Sequence, residues 1–370
     1  MNEPYSSRCN RALDAVRKAG ASALLVSDPA TVCWLTGKEV DVELSLAPWS
    51  LGTHILLTDD VGAVILPAED SSGWSSDWTL YPYEAFTTAP RFQPLAHLLA
   101  AFQQASDNAG LANAPIGIEG SALPAAVLSV FDPRPTVDVS ATLRLIRAVK
   151  DSAELLLIRQ AVELVNVGQR VFREALVPGV REIDLWSLVH SAIERAAGHR
   201  VTAMSDVLFG ERCMLSGGPP TDSVLHRDEL GMLDLVPRLN GYWADSCVTI
   251  CAGDPSATMR RAHDASRRAL ETGIRLARPG TTAGALDAGV RQVMGEQGYE
   301  YWHHTGHGLG VTYHEEPRIV PESTTVLQEG MVIALEPGSY VDGVGLRLEH
   351  LIVVGPHGGE ILTDYPLDLT

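Results

Sequence analysis

The sequence predicts an α/β (α+β) protein of two domains, and three observations support this prediction. The chain has 370 residues, which is more than one ordinary hydrophobic core. Short apolar runs of strand character alternate with helical periodicity in its first part. In its second part, residues 175–198 and 275–298 share one order of features: a helix end, a Pro-Gly break, a second helix and a closing glycine.

Residues 1–146 are predicted to form the smaller α/β domain. An amphipathic helix, RCNRALDAVRKAG, leads into the apolar strand ASALLVS, and HILLTDDVGAVILP has the pattern of two strands around a turn. The helical stretch LAHLLAAFQQA and the strand PIGIEG follow. The stretch DPATVCWLTG fits either a loop near a site or simple packing, and packing is favoured. No titratable cluster in this region demands a chemical role.

Residues 147–370 are predicted to form a second domain built from two similar halves. Asp151, followed three positions later by Glu154, indicates a helix start ahead of the periodic run ELLLIRQAVELVNVGQRVFREAL. The Pro-Gly breaks at Pro178 and Pro279 lie 101 positions apart. We therefore expect a pseudo-symmetric unit in which each half contributes helices and an antiparallel sheet.

Each half continues into an apolar, strand-like segment that carries two carboxylates. Asp234 and Asp245 follow the first repeat, and Glu336 and Glu349 follow the second at offsets of 102 and 104 positions. A carboxylate in surroundings such as LDL or MVIAL costs several kcal/mol to bury unless a cation compensates it. Four such groups would repel one another if they converged, so the pattern predicts a site for divalent metal.

A histidine-rich stretch, HHTGHGLGVTYHEEP at 303–317, holds four of the twelve histidines of the chain. Four carboxylates and one imidazole form an oxygen-rich ligand set that suits Mn²⁺, Co²⁺, Fe²⁺ or Zn²⁺. Two ions about 3.5–4 Å apart can share a bridging water, lower its pKa and polarise a carbonyl oxygen. Further imidazoles can stabilise a tetrahedral intermediate or carry a proton to a leaving nitrogen.

In these residues the sequence resembles the pita-bread metallopeptidases, which include prolidase, aminopeptidase P and methionine aminopeptidase, with the creatinases as relatives. The resemblance is closest to the Xaa-Pro branch, and the first domain looks like the creatinase/prolidase N-terminal domain. It implies a C-terminal pita-bread fold with an internal pseudo-two-fold repeat. The five ligand positions of the family occur in order and in context: Asp234 in LDLVP, Asp245 in GYWADS, His307 in TGHGLG, Glu336 in ALEPG and Glu349 in LRLEH.

The resemblance implies a role for each of these five residues. Asp245 and Glu349 are expected to bridge two divalent ions, with Mn²⁺ expected first and Co²⁺, Zn²⁺ or Fe²⁺ as alternatives. Asp234 would complete the shell of one ion, and His307 and Glu336 would complete the other. Glu336 is also the expected base that takes a proton from the metal-bound water.

Three further residues match catalytic positions of the family. His314 matches a histidine that contacts the substrate carbonyl region, and His303 matches another site-facing histidine of the prolidase and aminopeptidase P branch. Arg347 corresponds to an arginine near the acids. His304 has no match in the family and is expected to face solvent.

Two departures from the family pattern concern substrate selectivity. Peptidase relatives commonly have Thr-Arg after the second aspartate, whereas here Asp245 is followed by SCV. Proline-specific members carry a histidine upstream of the first aspartate, but residues 215–224, LSGGPPTDSV, contain none. His226 arrives only eight positions before Asp234, which is too late to replace it. These departures leave Xaa-Pro selectivity open and do not affect the metal ligands.

Composition and charge exclude several classes of protein. The net charge of −18 and the lack of a basic run argue against a nucleic-acid partner. No apolar run approaches the roughly 20 residues needed to span a membrane, and MNEPYSSRCN lacks the pattern of a signal peptide. Five scattered cysteines without CxxC spacing indicate reduced thiols in a cytoplasmic protein. The resemblance adds an expected homodimer.

Three functions remain open from the sequence. The first is a dinuclear-metal hydrolase that cleaves the amide bond after the N-terminal residue of a small peptide, of the Xaa-Pro dipeptidase or aminopeptidase P type. The second is a non-peptidase C–N hydrolase of the creatinase or ectoine hydrolase type, which acts on a small amide or cyclic amidine. The third is a catalytically inactive binding protein on the same fold, ranked last because the ligand set is intact.

Overall fold

The protein consists of two compact units, Met1–Arg147 and Ala148–Thr370. A computed structural model of the chain describes residues 3–40, 47–111, 115–132 and 134–370. None of the helices in these ranges is long and apolar enough to cross a lipid bilayer.

The first unit contains a six-stranded mixed sheet in the order β4-β3-β2-β1-β5-β6. Its strands are β1 Ala23–Val26, β2 His54–Leu57, β3 Gly62–Pro67, β4 Thr79–Tyr83, β5 Ile116–Ile118 and β6 Thr136–Asp138. Its helices are α1 Glu3–Lys18, α2 Pro29–Thr36, α3 Pro94–Asn108, α4 Leu128–Phe131 and α5 Ser140–Ala148, the last ending at the unit boundary. The predicted β2–β3 pair is antiparallel.

The stretch DPATVCWLTG forms α2, a short buried helix. Asp28 caps it by accepting a hydrogen bond from the backbone N–H of Ala30, and Gly37 ends it in the left-handed conformation at φ 72°. The side chains from Ala30 to Leu35 are buried. Packing within the first unit therefore explains this stretch, as the sequence favoured.

The first half of the second unit places two helices ahead of an antiparallel sheet. Its elements are α6 Ser152–Ala175, α7 Glu182–Ala197, β7 Thr202–Phe209, β8 Leu230–Leu239, β9 Tyr242–Trp243 and β10 Cys247–Cys251. The strand order is β10-β8-β7, with β9 paired to β8. Asp151 and Glu154 form a reciprocal capping box at the start of α6, which confirms the predicted helix start.

The second half repeats this order. Its elements are α8 Ala257–Leu276, α9 Ala283–Glu296, β11 Gly306–Gly308, β12 Glu315–Ile319, β13 Val332–Leu335, β14 Gly338–Val341, β15 Val344–Arg347, β16 His350–Gly355 and β17 Gly358–Ile361. Five strands form an antiparallel sheet, β12-β11-β13-β16-β17, and β14 pairs with β15.

A pair of isolated bridges marks the internal repeat. Arg181 pairs with Val224 in the first half, and Thr282 pairs with Val326 in the second. The corresponding positions lie 101 and 102 residues apart, close to the spacing of the Pro-Gly breaks. The predicted α/β (α+β) fold class, with a duplicated C-terminal part, is therefore confirmed.

Candidate active site

The pleat of β8 directs its acid into a cavity. Successive side chains of a strand point to opposite faces. Leu233 and Leu235 are fully buried, and Leu235 packs on Gly168 of α6, where an added Cβ would lie 2.2 Å from a Leu235 methyl carbon. Asp234 therefore points the other way, into a cavity of about 310 Å³. Small-molecule sites have volumes of ~300–1,000 Å³, so this cavity suits a small substrate.

Strand β7 contributes a second carboxylate to the same wall. Asp206 is paired with Asp234, and Met204 is paired with Val236. Side chains that lie directly opposite in an antiparallel pair share a face, and all four line the cavity. The sequence reasoning missed Asp206. A signal was present, because Asp206 precedes His307 by 101 positions, the spacing of the repeat.

The two carboxylates expected to bridge the ions come from different halves of the second unit. The backbone N–H of Glu349 donates to the carbonyl of Cys247 at 2.9 Å, which brings Glu349 beside Asp245. One oxygen of Asp245 accepts from the N–H of Ser246 at 2.8 Å. Both acids are buried, and ligand atoms of Asp245, Glu349 and His307 lie within 4.8 Å of one another.

His307 lies on β11, between β12 and β13. An added Cβ on Gly306 or Gly308 would lie 2.0 or 2.1 Å from a backbone oxygen of a neighbouring strand, so only glycine permits this close approach. The Nδ1–H of His307 donates to the Gly308 carbonyl at 3.0 Å. The lone pair is then on Nε2, which lies 3.5 Å from Asp245 and 3.6 Å from Glu336. This is the orientation of a metal-binding imidazole.

Arg347 connects the acids to the segment that precedes β8. Its guanidinium donates to Oδ2 of Asp234 and, at 2.8 Å, to the carbonyl of Ser216. Its Nε lies 3.7 Å from Glu336. The structure therefore brings Arg347 to the acids and places Ser216, from the histidine-free segment 215–224, at the cavity wall.

Three histidines, His304, His307 and His314, form part of the cavity lining beside the acids. His304 lines the cavity, and its Nε2 lies 2.9 Å from Oε1 of Glu336. The ring of His314 lies 3.8 Å from the ring of His307 and 5.3 Å from that of His304. Burial, with the neighbouring imidazoles, lowers the pKa of His314 to about 4, so this residue is neutral near pH 7.

His304 lines the cavity, whereas His303 lies beside it, with the charges of Glu336 and Arg347 acting on its ring. The Nδ1–H of His303 donates to the carbonyl of His304 at 2.7 Å, and the ring of His303 packs against Tyr301 and Tyr340. Arg291 of α9 fixes this geometry by donating to the carbonyls of Tyr301 and His303 at 2.7 Å each. The expectation that His304 faces solvent is therefore corrected, since His304 faces the acids.

The electrostatics of the acids fit bound divalent cations. Burial raises the pKa values of Asp234, Asp245 and Glu349. Burial acts in the same direction on Glu336, but an imidazole hydrogen bond and a guanidinium charge outweigh it and lower that pKa to about 2. Within the described residues, Oδ1 of Asp234 and Oε1 of Glu349 are buried without a hydrogen-bond partner. Oxygen ligands with one imidazole suit divalent ions of the Mn²⁺ to Zn²⁺ series.

Known proteins resemble the chain in both units. Residues 157–356 match metallopeptidase family M24, and residues 8–149 match the creatinase/prolidase N-terminal domain. A putative dipeptidase of Bacillus subtilis, YkvY, is 31% identical over 236 residues, which cover 63% of this chain and 65% of that protein. The alignment thus spans just under two thirds of that relative.

Two further known proteins match over a larger share of their own length. An Xaa-Pro dipeptidase of Pyrococcus furiosus is 30% identical over 255 residues, 67% of this chain and 73% of that protein. The structure of an Xaa-Pro dipeptidase from Bacillus anthracis superimposes with a TM-score of 0.85 at 21% identity and covers 99% of both chains, which shows a common fold. The family resemblance seen in the sequence is confirmed: the chain belongs to metallopeptidase family M24 and carries the creatinase/prolidase N-terminal domain.

Proposed function

We propose that the protein is a dinuclear-metal hydrolase that cleaves the amide bond after the N-terminal residue of a small peptide, in the manner of an Xaa-Pro dipeptidase or aminopeptidase P. The observation that carries this proposal is the meeting of Asp245, Glu349 and His307, from both halves of the second unit, at one buried point. Relatives named as dipeptidases and Xaa-Pro dipeptidases support it.

The ligand set of the proposed site follows the family pattern. Asp245 and Glu349 would contact both ions, Asp234 would contact one, and His307 and Glu336 the other. Mn²⁺ is the first ion to test. When bound, two such ions supply Lewis-acid chemistry, because they polarise a carbonyl oxygen and lower the pKa of water.

The side chains of the chain itself would bind the substrate and move the protons. Glu336 would accept the proton of the attacking water, and the His304 hydrogen bond at 2.9 Å holds this carboxylate at the cavity wall. His314 would donate a hydrogen bond to the oxygen on which negative charge develops. Arg347 holds Asp234, and so orients a ligand rather than touching the substrate.

The resemblance gives His303 a catalytic role, and its contacts favour a different one. Burial lowers the pKa of this imidazole to about 4, and its Nδ1–H is committed to the carbonyl of His304. We therefore propose that His303 supports the backbone of the site as a positioning residue, while His304 takes the place beside Glu336.

A second candidate is a non-peptidase C–N hydrolase of the creatinase or ectoine hydrolase type. It is favoured by Ser216, which lines the cavity and accepts a hydrogen bond from Arg347, because the segment 215–224 that carries it offers no imidazole to a proline ring. The third candidate, a binding protein without catalysis, keeps the lowest rank because the ligands converge.

One experiment separates these candidates. Protein purified without chelator is assayed for metal, with about two ions per chain expected, and then tested with Mn²⁺ or Co²⁺ against Ala-Pro, Ala-Ala, Xaa-Pro-Yaa peptides and small cyclic amides. Asp245→Asn is expected to lose metal and turnover together, whereas Asp264→Asn, on the exposed side of α8, should retain both. Turnover of only non-peptide amides would replace the peptidase proposal by the second candidate. A metal-free protein whose Asp245→Asn variant matches wild type would support the third.

Assembly and location are further parts of this proposal. We infer a homodimer from the family, and light scattering measures its mass. A cytoplasmic location accords with five free cysteines, all buried, and fractionation of cells tests it.

A further inference from the structure

The cavity lining has two chemically different parts. In one part, ring nitrogens of His304, His307 and His314 lie within 4.8 Å of one another. In the other part, Asp206 stands beside Asp234 on the neighbouring strand. Side chains paired in this way have Cβ atoms ~4.5–5.5 Å apart, so the Asp206 carboxylate lies one side chain away from the acids of the proposed metal site.

A backbone hydrogen bond holds Asp206, and the charge of Arg347 acts on it without forming an ion pair. The N–H of Gly218 donates to its carboxylate, and Gly217 passes so close that an added Cβ would lie 2.8 Å from Oδ2. Among the described residues, no Lys, Arg or His forms an ion pair with it within 4.0 Å, since Arg347 is committed to Asp234 and Ser216. This negative charge at the cavity wall is therefore available to a ligand.

An apolar surface lies next to this carboxylate on the same face. Met204 and Val236 form the adjacent cross-strand pair, ~6.7 Å along the strands, and Met204 is 40% exposed at the cavity rim. Lys and Arg side chains lay their methylene groups along apolar surfaces while the charged head stays in a polar setting. An apolar pair followed by an acid is the surface that such a side chain fits, and a bare α-ammonium group would leave the apolar part uncovered.

The direction of the substrate follows from proton transfer. The leaving amine takes up a proton, and in the proposed mechanism Glu336 holds the proton taken from the attacking water, with His304 beside it at 2.9 Å. The leaving part of the substrate therefore belongs on the side of His304 and Glu336. The residue before the scissile bond then extends toward Asp206 and Met204.

We propose that Asp206 is a specificity-determining residue that selects substrates whose N-terminal residue carries a cationic side chain, lysine or arginine, with its methylene groups on Met204 and Val236. This inference rests on the proposed amide hydrolysis. The inference adds the chemical class of the N-terminal residue that the enzyme would release.

The test compares lysine with norleucine, which has the same length of carbon chain and no charge. Lys-Pro, Lys-Ala and their norleucyl counterparts are assayed with the Mn²⁺-loaded enzyme, so the α-ammonium group and the choice of second residue cancel in each ratio. Hydrogen bonds to charged groups lead us to expect kcat/KM at least about tenfold higher for the lysyl substrate. Asp206→Asn should reduce this ratio to about one and leave the norleucyl substrate little changed.

A matched control addresses the overall negative charge. Asp222→Asn removes the same charge from an exposed position outside the cavity, so it should keep the wild-type ratio. A lysyl-to-norleucyl ratio near one in wild type, or a ratio unchanged in Asp206→Asn, would overturn the inference. The wild-type ratio requires no variant, so a failure of Asp206→Asn to fold does not block the test.

A binding measurement separates this inference from the proposed function. Calorimetry with L-lysinamide and L-norleucinamide on the Mn²⁺-loaded protein should show the same preference and the same loss in Asp206→Asn. Peptide turnover without a cation preference would sink the inference and keep the proposed function. A preference for lysinamide that depends on Asp206, without turnover of any peptide, would support the cation site and overturn the proposed function.

Discussion

A buried ion pair braces the segment that carries His314. Nζ of Lys150 lies 3.2 Å from Glu315, and the two side chains are 0% and 1% exposed. The other oxygen of Glu315 accepts from the N–H and the hydroxyl of Thr312, which closes the turn around Tyr313 and His314. We predict that Lys150→Met strongly destabilises the second unit, because it removes the ammonium group paired with a buried carboxylate.

The structure sets the magnitude of this loss. Removal of one partner from a buried pair costs about 3–5 kcal/mol, and complete burial of both side chains excludes screening by solvent. Glu315 keeps the two hydrogen bonds from Thr312, so we expect the lower limit, about 3 kcal/mol. In a unit of this size each kcal/mol shifts the melting temperature by about 2–4 °C, which gives a decrease of about 6–12 °C.

Urea unfolding and scanning calorimetry measure this effect on the transition of the second unit. The double variant Lys150→Met/Glu315→Gln removes both charges and keeps an acceptor for Thr312, so it should recover most of the loss. Arg267→Met breaks an exposed pair with Glu271 at 2.7 Å and should change stability by less than about 0.5 kcal/mol. The reasoning is refuted if Lys150→Met behaves like Arg267→Met, or if the double variant is as unstable as the single one.

Three further predictions concern titration, metal and packing. Burial lowers the pKa of His54 from 6.5 to about 4 and raises that of Glu119 from 4.5 to about 7. As pH falls from about 6.5 to 4, unfolding takes up a proton at His54 and stability decreases. As pH rises from about 4.5 to 7, unfolding releases a proton from Glu119 and stability also decreases. Between pH 5 and 6, Glu119→Gln should therefore gain stability in urea relative to wild type by up to about 1.4 kcal/mol per pH unit as pH rises, and equal slopes in both proteins contradict this. Chelation should lower the melting temperature of the second unit, since an ion at a thousandfold excess over its Kd adds about 4 kcal/mol to the free energy of unfolding. An unchanged calorimetric trace after chelation speaks against a metal site. Gly168→Ala should cost about 1–3 kcal/mol in urea because it crowds Leu235, whereas Gly295→Ala, with no atom within 4 Å, should stabilise by up to about 1 kcal/mol.

The sequence predicted the acids of the site because local pattern and long-range repetition agreed. Asp234 interrupts an apolar strand, and Glu336 occupies the corresponding place 102 positions later. A buried charge in an apolar strand requires a compensating cation. An internal repeat brings equivalent residues of the two halves together, so both arguments predict one shared cation site. The reciprocal cap of Asp151 and Glu154 was equally readable, because its two hydrogen bonds span only three residues.

Side-chain direction outside regular elements was not predictable. His303 and His304 are adjacent in an irregular segment, where no periodicity assigns a face to either. Their order is fixed by Arg291, which holds two backbone carbonyls from a helix that precedes them in the chain. Asp206 was missed for a related reason, since its partnership with Asp234 depends on the register of two strands 28 positions apart.

The asymmetry between the halves decides how a substrate can lie in the cavity. Asp234 and Glu336, like Asp245 and Glu349, are related by the repeat, so the acids alone present similar surfaces to either end of an amide. Direction must therefore come from the residues that break the symmetry. The first strand of the first half contributes Asp206. At the corresponding position of the second half, 101 residues later, stands His307 with its imidazole. In the proposed orientation the cationic residue lies at Asp206 and the leaving amine lies beside His304, and loss of Asp206 should weaken that choice without removing a metal ligand.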